Sequence, residues 1–312
     1  MALLRINATP DGLRLHQSHR PPWPSITRAA DGEGPVVIMI HGFRFAPGAG
    51  SDCPHRHILS IADAPLDWKA LSWPRALGFG QHDPAPGLGI AFGWNALGSL
   101  WNAFDQAQQA GHLLSTLINQ LHMRAPHRPI HLIGHSMGAR VILSALPHTA
   151  HNSLNRILLL APAEYRKAAQ AALQSPAGRT AEVFNITSRE NDLYDFLLER
   201  LIRTPKPDRI MGSAPPKAPN LLSIQLDDPD TLSALASRGL RLAPAQRRVC
   251  HWSAYLRPGV FDLYRALLFE PHRHPFGMLR AALPDEMHPR WSRFRPVMPA
   301  KPALPLPPNA PS

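Results

Sequence analysis

Residues 129–146, Pro-Ile-His-Leu-Ile-Gly-His-Ser-Met-Gly-Ala-Arg-Val-Ile-Leu-Ser-Ala-Leu, restrict the fold more than any other stretch of the chain. Residues 130–133 are a short apolar run, the pattern of a buried strand. Gly134-His135-Ser136-Met137-Gly138 reads as a tight turn, and the small and apolar residues after it read as the start of a helix. A strand that turns at once into a helix lifts the apex residue above the sheet edge on a strained backbone. Gly134 and Gly138 lack Cβ atoms, so the helix can approach the strand closely and the turn can be sharp. In this context Ser136 is the candidate nucleophile.

The rest of the chain alternates between two periodicities. Residues 3–9 and 13–16 flank a Pro-Asp-Gly turn and predict an opening hairpin, 3–16. Residues 21–24 and 31–34 read as loops. Residues 35–40, Pro-Val-Val-Ile-Met-Ile, form a continuous β-branched run that suits a central parallel strand covered on both faces. Residues 69–74 predict a short strand and its exit, and the Gly- and Pro-rich 78–89 a pocket wall. From about 93 to 122, Phe104, Ala107, Gly111, Leu114, Ile118 and Leu121 recur at steps of three and four, one apolar helix face. Gly111 on that face permits close contact with a sheet. Trp94 and Trp101 read as core or boundary aromatics. Strands are predicted at 155–162, 180–187 and 221–226, and helices at 164–173, 193–202 and 255–269. Strands alternating with helices argue for an α/β fold with a mostly parallel sheet.

A chain of 312 residues can bury a substantial core in one domain, here residues 1–271. The 35 prolines are unevenly placed, and residues 272–312 predict a Pro-rich, largely unstructured tail. The formal charge of +11 favours anionic surfaces in an unspecific way. No recognition helix, zinc finger or stripe of basic and aromatic residues accompanies it, so no specific nucleic-acid partner is expected. Cys53 and Cys250 allow at most one disulfide, and the histidines of 54–57 lack a spaced carboxylate or cysteine set, so no metal is expected. The opening apolar run is too short for a secretory signal, and no run of about 18 apolar residues predicts a membrane span. The expected location is cytoplasmic, with peripheral membrane contact open and the oligomeric state unspecified.

A serine hydroxyl needs a base to take its proton, and that base needs a third group to fix its tautomer. In such sheets these groups follow later strands, in the order serine, acid, histidine. Asp192, after the strand at 180–187, is the expected acid. Glu164 and the near neighbour Glu190 are alternatives, as are Asp227, Asp228 and Asp230 after the next strand, and helix capping is a competing duty for Asp192. His251, late in the chain and just before the last helix, is the expected base. His135 should be turned away from the reacting face of Ser136, and His272, His274 and His288 lie where regular pattern fades. The central strand 35–40 exits into His41-Gly42-Phe43-Arg44. There His41 reads as structural, Gly42 as a structural turn, and the Phe43 backbone N–H as one oxyanion donor, with the Met137 N–H as the other.

These features together resemble the α/β-hydrolase superfamily over roughly residues 35–269. More narrowly, His41-Gly42-Phe43-Arg44, Ser72-Trp73-Pro74, residues 134–140 and the strand exit 188–192 resemble a bacterial group of poorly characterised serine hydrolases. The resemblance implies a Ser136–Asp192–His251 triad and cleavage of a small-molecule ester, thioester or amide without metal or organic cofactor. It also implies loops 44–59 and 78–93 as cover for the site, since no long helical cap insertion is present. Two other readings remain open: acyl transfer on the same triad, and a non-catalytic scaffold for anionic surfaces.

Overall fold

The computed structural model describes residues 3–62, 70–80 and 87–294. Eight strands form one sheet: β1 (Leu3–Thr9), β2 (Gly12–Leu15), β3 (Val36–Ile40), β4 (Leu88–Gly93), β5 (Ile130–His135), β6 (Arg156–Leu160), β7 (Glu182–Thr187) and β8 (Leu221–Gln225). Their spatial order is β2-β1-β4-β3-β5-β6-β7-β8. Only the edge strand β2 runs antiparallel. The sheet is mostly parallel with helices on both faces, an α/β fold.

Side-chain alternation sends each central strand into two cores. Val36, Ile38 and Ile40 of β3 enter one, and Val37 and Met39 the other. The first core is covered by α1 (Trp23–Ala30), and the second by the short α2 (Trp73–Ala76). Returning to the first face, α3 (Leu100–Arg124), α4 (Met137–Ala145), α5 (Arg166–Leu173) and α6 (Pro176–Thr180) complete its layer. The helix α7 (Asp192–Leu201) follows β7. The second face is finished by α8 (Pro229–Ala236), α9 (Ser253–Leu256), α10 (Val260–Phe269) and α11 (Phe276–Ala282).

The hairpin, the central strands and the apolar face of α3 lie where the periodicity put them. Several expectations are corrected. β4 lies in a stretch read as loop, because its glycines hide the strand pattern. A Cβ on Gly89 would come within 2.9 Å of Leu3 Cδ1 and 3.1 Å of the Phe79 ring, so those side chains would have to shift to admit one. Residues 73–76 are helical, capped by Ser72 Oγ accepting from the Arg75 N–H, and not a strand. Lys69 and residues 81–86 lie outside the described residues. α3 starts at Leu100, where Ser99 caps it. Gly111 meets a helix rather than the sheet: its missing Cβ leaves room for Ser144 and Val141 of α4.

The expected helix at 255–269 is broken between α9 and α10, at Pro258 and the left-handed Gly259 (φ 88°). The expected tail is corrected over its described part. α11 packs Leu279 into the second core. Beyond it, Arg290 makes a two-pronged ion pair with Glu199, at 2.7 and 2.9 Å. Residues 295–312 of that tail lie outside the described residues. Cys53 and Cys250 are both free and buried.

Candidate active site

Ser136 stands between β5 and α4 with φ 55° and ψ −119°, in the strained region that an elbow requires. Backbone bonds hold it there. Its N–H donates to Leu160 O (2.8 Å), and its carbonyl accepts from Ala139 N (3.0 Å) and Ala163 N (3.1 Å). The expected turn glycines fit by room. A Cβ on Gly138 would lie 2.4 Å from Ile40 O, and one on Gly134 would lie 2.7 Å from Ile142 Cδ1. On Gly42 it would lie 2.9 Å from His135 O and 3.1 Å from Ser136 Cβ, so the β3 exit loop lies directly against the apex.

A cavity of about 580 Å³ opens over Ser136. Its walls are mostly apolar, with Phe45, Ile58, Leu100, Leu198 and Trp252 among them, and Phe43, Met137 and His251 also face it. Loop 44–59 therefore supplies part of the cover, as expected. Of the six non-glycine residues with positive φ among the described residues, Arg44, Ser136 and Ala161 line this cavity. Strain is concentrated where chemistry is expected.

Met137 is the first residue of α4, so its N–H has no acceptor within the helix, and the residue lines the cavity. Phe43 follows Gly42, and the loop is fixed by Arg44 N donating to Ala96 O (3.0 Å). His41 supports this loop from below. Its Nε2 accepts from the Trp94 N–H (3.0 Å), which leaves the proton on Nδ1 to donate to Gly42 O (2.9 Å). The Trp94 indole donates to His41 O and stacks on the ring, and burial pushes the His41 pKa down to about 4. His41 and Trp94 are structural, as read. Trp101 is exposed, and its indole caps Leu201 O at the end of α7.

His251 faces the cavity, and its Nδ1 lies 2.7 Å from Oδ1 of Asn191. An amide oxygen only accepts, so Nδ1 carries the proton and Nε2 presents a lone pair. Burial, and then His135, hold the His251 pKa well below its ordinary value. His135 is not turned out of the site. It lines the cavity, donates through Nε2 to His251 O (3.0 Å) and packs its ring 4.6 Å from the His251 ring. Tyr194 stacks on the other side at 4.7 Å.

The side chain against His251 is not the expected acid Asp192 but its neighbour Asn191, an amide. Asp192 accepts from the Trp291 N–H (2.7 Å) and pairs with Arg189 (3.3 Å), away from His251. A one-residue step at the start of α7 turns a side chain by about 100°, so Asn191, not Asp192, meets the imidazole. Four alternative acids are occupied elsewhere, and Asp230 is exposed on α8. Glu164 pairs with Arg140, and Glu190 with Arg257. Asp227 accepts from Arg189 N, and Asp228 caps α8.

Behind Asn191, its Nδ2 donates to Oδ1 of the buried Asp195 (2.8 Å). Burial pushes the Asp195 pKa up to about 7. Asn191 and Asp195 were not picked out by sequence. Their i, i+4 spacing after β7, which puts two side chains on one helical face, was the available signal. Among the described residues no group of histidine, cysteine and acidic side chains is arranged to hold a metal, and no helix is long and apolar enough to cross a membrane.

Residues 90–213 match the model of a family described as a protein of unknown function (DUF726), a span that holds Ser136, Asn191 and Asp195 but ends before His251. The transmembrane and coiled-coil domain-containing protein STS1 of Oryza sativa subsp. japonica is 30% identical over 148 residues. That match takes in 42% of this chain but 22% of the relative, so this chain spans only a small part of the relative's length. It is a plant protein, not a member of the bacterial group that the sequence resembles. Among solved structures, an acetyl xylan esterase is 12% identical with a TM-score of 0.35, covering 78% of this chain and 100% of that one. The catalytic core domain of acetyl xylan esterase from Trichoderma reesei is 10% identical with a TM-score of 0.30, covering 80% of this chain and 100% of that one.

Proposed function

We propose that the chain is a serine hydrolase that cleaves carboxylic esters or thioesters through an acyl-enzyme. One observation carries this reading. Ser136, on a strained strand-to-helix apex, shares an apolar cavity with an imidazole whose Nδ1 is bonded to an amide oxygen. With Nδ1 protonated, His251 Nε2 takes the Ser136 proton as Oγ attacks the substrate carbonyl. The N–H groups of Met137 and Phe43 donate to the resulting oxyanion. His251 then protonates the leaving group and afterwards activates water against the acyl-enzyme. Asn191 takes the orienting role, as an asparagine does in papain-like cysteine proteases. The apolar walls support an apolar acyl group, and Leu197 and Leu201 carry that lining out to the exposed surface.

A fluorophosphonate probe should label the wild type and leave Ser136→Ala unlabelled. A folded wild type that stays unlabelled sinks the active-serine reading.

A further inference from the structure

An amide in the orienting position has a weakness that a carboxylate lacks. A carboxylate presents only acceptors to the imidazole, whereas an asparagine can turn over and present its NH₂. Turned over, it needs a lone pair on His251 Nδ1. The ring proton then sits on Nε2, which can no longer accept from Ser136. In a serine-protease triad, an amide in this place costs about 10⁴ in kcat for this reason. The chain therefore needs something that fixes the Asn191 amide.

We propose that Asp195 is a positioning residue: its carboxylate accepts from Asn191 Nδ2, holds the amide oxygen toward His251, and so selects the imidazole tautomer that can take the Ser136 proton. The inference rests on the serine-hydrolase reading above. Two short contacts in line, Asp195 Oδ1 to Asn191 Nδ2 at 2.8 Å and Asn191 Oδ1 to His251 Nδ1 at 2.7 Å, carry it.

The charged groups around Asp195 leave it this task. Arg189 and Arg290 attract its charge, while Asp192 and Glu199 repel it. Those two arginines, however, are paired to the two neighbouring acids: Arg189 to Asp192, and Arg290 to Glu199. The hydrogen bond that Asp195 makes goes to Asn191, and its second oxygen, Oδ2, has no hydrogen-bond partner among the described residues. Asp195 is 3% exposed, and burying a carboxylate costs several kcal/mol. A side chain serving only to fill α7 at this point would be apolar, as the nearby Leu198 is.

The test measures kcat, KM and fluorophosphonate labelling rate at pH 8, where the carboxylate is ionised, for the wild type, D195N and the exchange N191D/D195N. D195N should lower kcat and labelling rate together, by about tenfold or more, with KM little changed. The exchange puts the carboxylate against His251 and the amide behind it, and should restore both rates. A merely structural defect at position 195 would persist in the exchange, because both variants carry the same residue there. Rates of D195N within twofold of wild type, or a defect that survives the exchange, overturn the proposal.

Should D195N fail to fold, the ¹⁵N shifts of the His251 ring in the wild type decide. A protonated Nδ1 supports the proposal, and a protonated Nε2 overturns it. Absence of wild-type labelling, by contrast, removes the serine-hydrolase reading itself, and the role of Asp195 with it.

Discussion

At the residue scale, the difference between Asn191 and Asp192 decides the site. Both follow β7, and a carboxylate is the usual third member of such a triad. Asp192 instead ties Arg189 to the Trp291 backbone, and Asn191 meets His251. Two substitutions separate these roles. Asn191→Ala should cut the labelling rate of Ser136 by a hundredfold or so while the protein stays folded. Asp192→Asn should leave labelling within a few-fold of wild type but lower stability by about 1–3 kcal/mol, since Arg189 loses its buried counter-charge. Urea unfolding alongside probe kinetics reads both. The reverse pattern would restore Asp192 as the orienting group. Sequence could nominate Ser136 because its context is local. It could not choose between adjacent residues at a helix start, because that choice depends on which way the first turn of α7 faces the His251 loop.

At the element scale, the site depends on two junctions. The first is the β5–α4 elbow against the β3 exit. Gly138→Ala forces a Cβ to within 2.4 Å of Ile40 O, and backbone must move to admit it. A loss of about 2–3 kcal/mol in urea unfolding is expected, together with loss of labelling as the oxyanion loop shifts. Unchanged stability would mean that the elbow is less tightly packed than described. The second junction is α7, whose Leu197 and Leu201 extend the cavity wall outward and are 43% and 44% exposed. On p-nitrophenyl esters of graded length, kcat/KM should rise from acetate toward medium chains. Leu197→Asp should remove that rise while sparing the acetate ester. Its 1–3 kcal/mol scale is that of a contact or two in an apolar pocket. An acetate-only profile in the wild type would show that the outer cavity is not used. Strands and long helices were legible because their periodicity repeats. β4 was not, because glycine carries no hydropathy signal; Gly89 packs close to Leu3 and Phe79, and Gly93 close to His55, Asn7 and Pro47.

At the scale of the whole molecule, buried histidines set the response to acid. Burial pushes His41 and His135 down to about 4, His131 to about 3 and His55 to about 2. Each is therefore neutral in the folded protein at a pH where the unfolded chain binds a proton. Their contribution is fully present above pH 6.5 and is lost as pH falls toward the folded values, at up to about 1.4 kcal/mol per pH unit for each. Asp195 acts in the opposite sense. Its pKa is raised to about 7, so the folded state is favoured as pH falls from 7 toward 4. Four histidines outweigh one aspartate, and the urea midpoint should drop steeply between pH 7 and pH 5. A flat profile over that interval would mean that these rings are protonated in place. The C-terminal segment belongs to the same whole. Phe276, Leu279 and Leu283 pack on the second core, and Arg290 and the Trp291 backbone clamp α7. This segment reads as tail because the partners that order it are 46 to 99 residues away in sequence.

The sequence by itself determined the parts whose causes are local: the parallel α/β framework, the strand–turn–helix at Ser136, the glycines that let it turn, and the late histidine. Hydropathy period and turn chemistry act over a few residues, and a chain carries them openly. Only the tertiary structure decided which side chain lies against His251 Nδ1, that His135 lines the same cavity, and that Asp195 stands behind Asn191. Those facts depend on how loops far apart in sequence converge above the sheet, where a one-residue step of about 100° along a helix changes which side chain arrives.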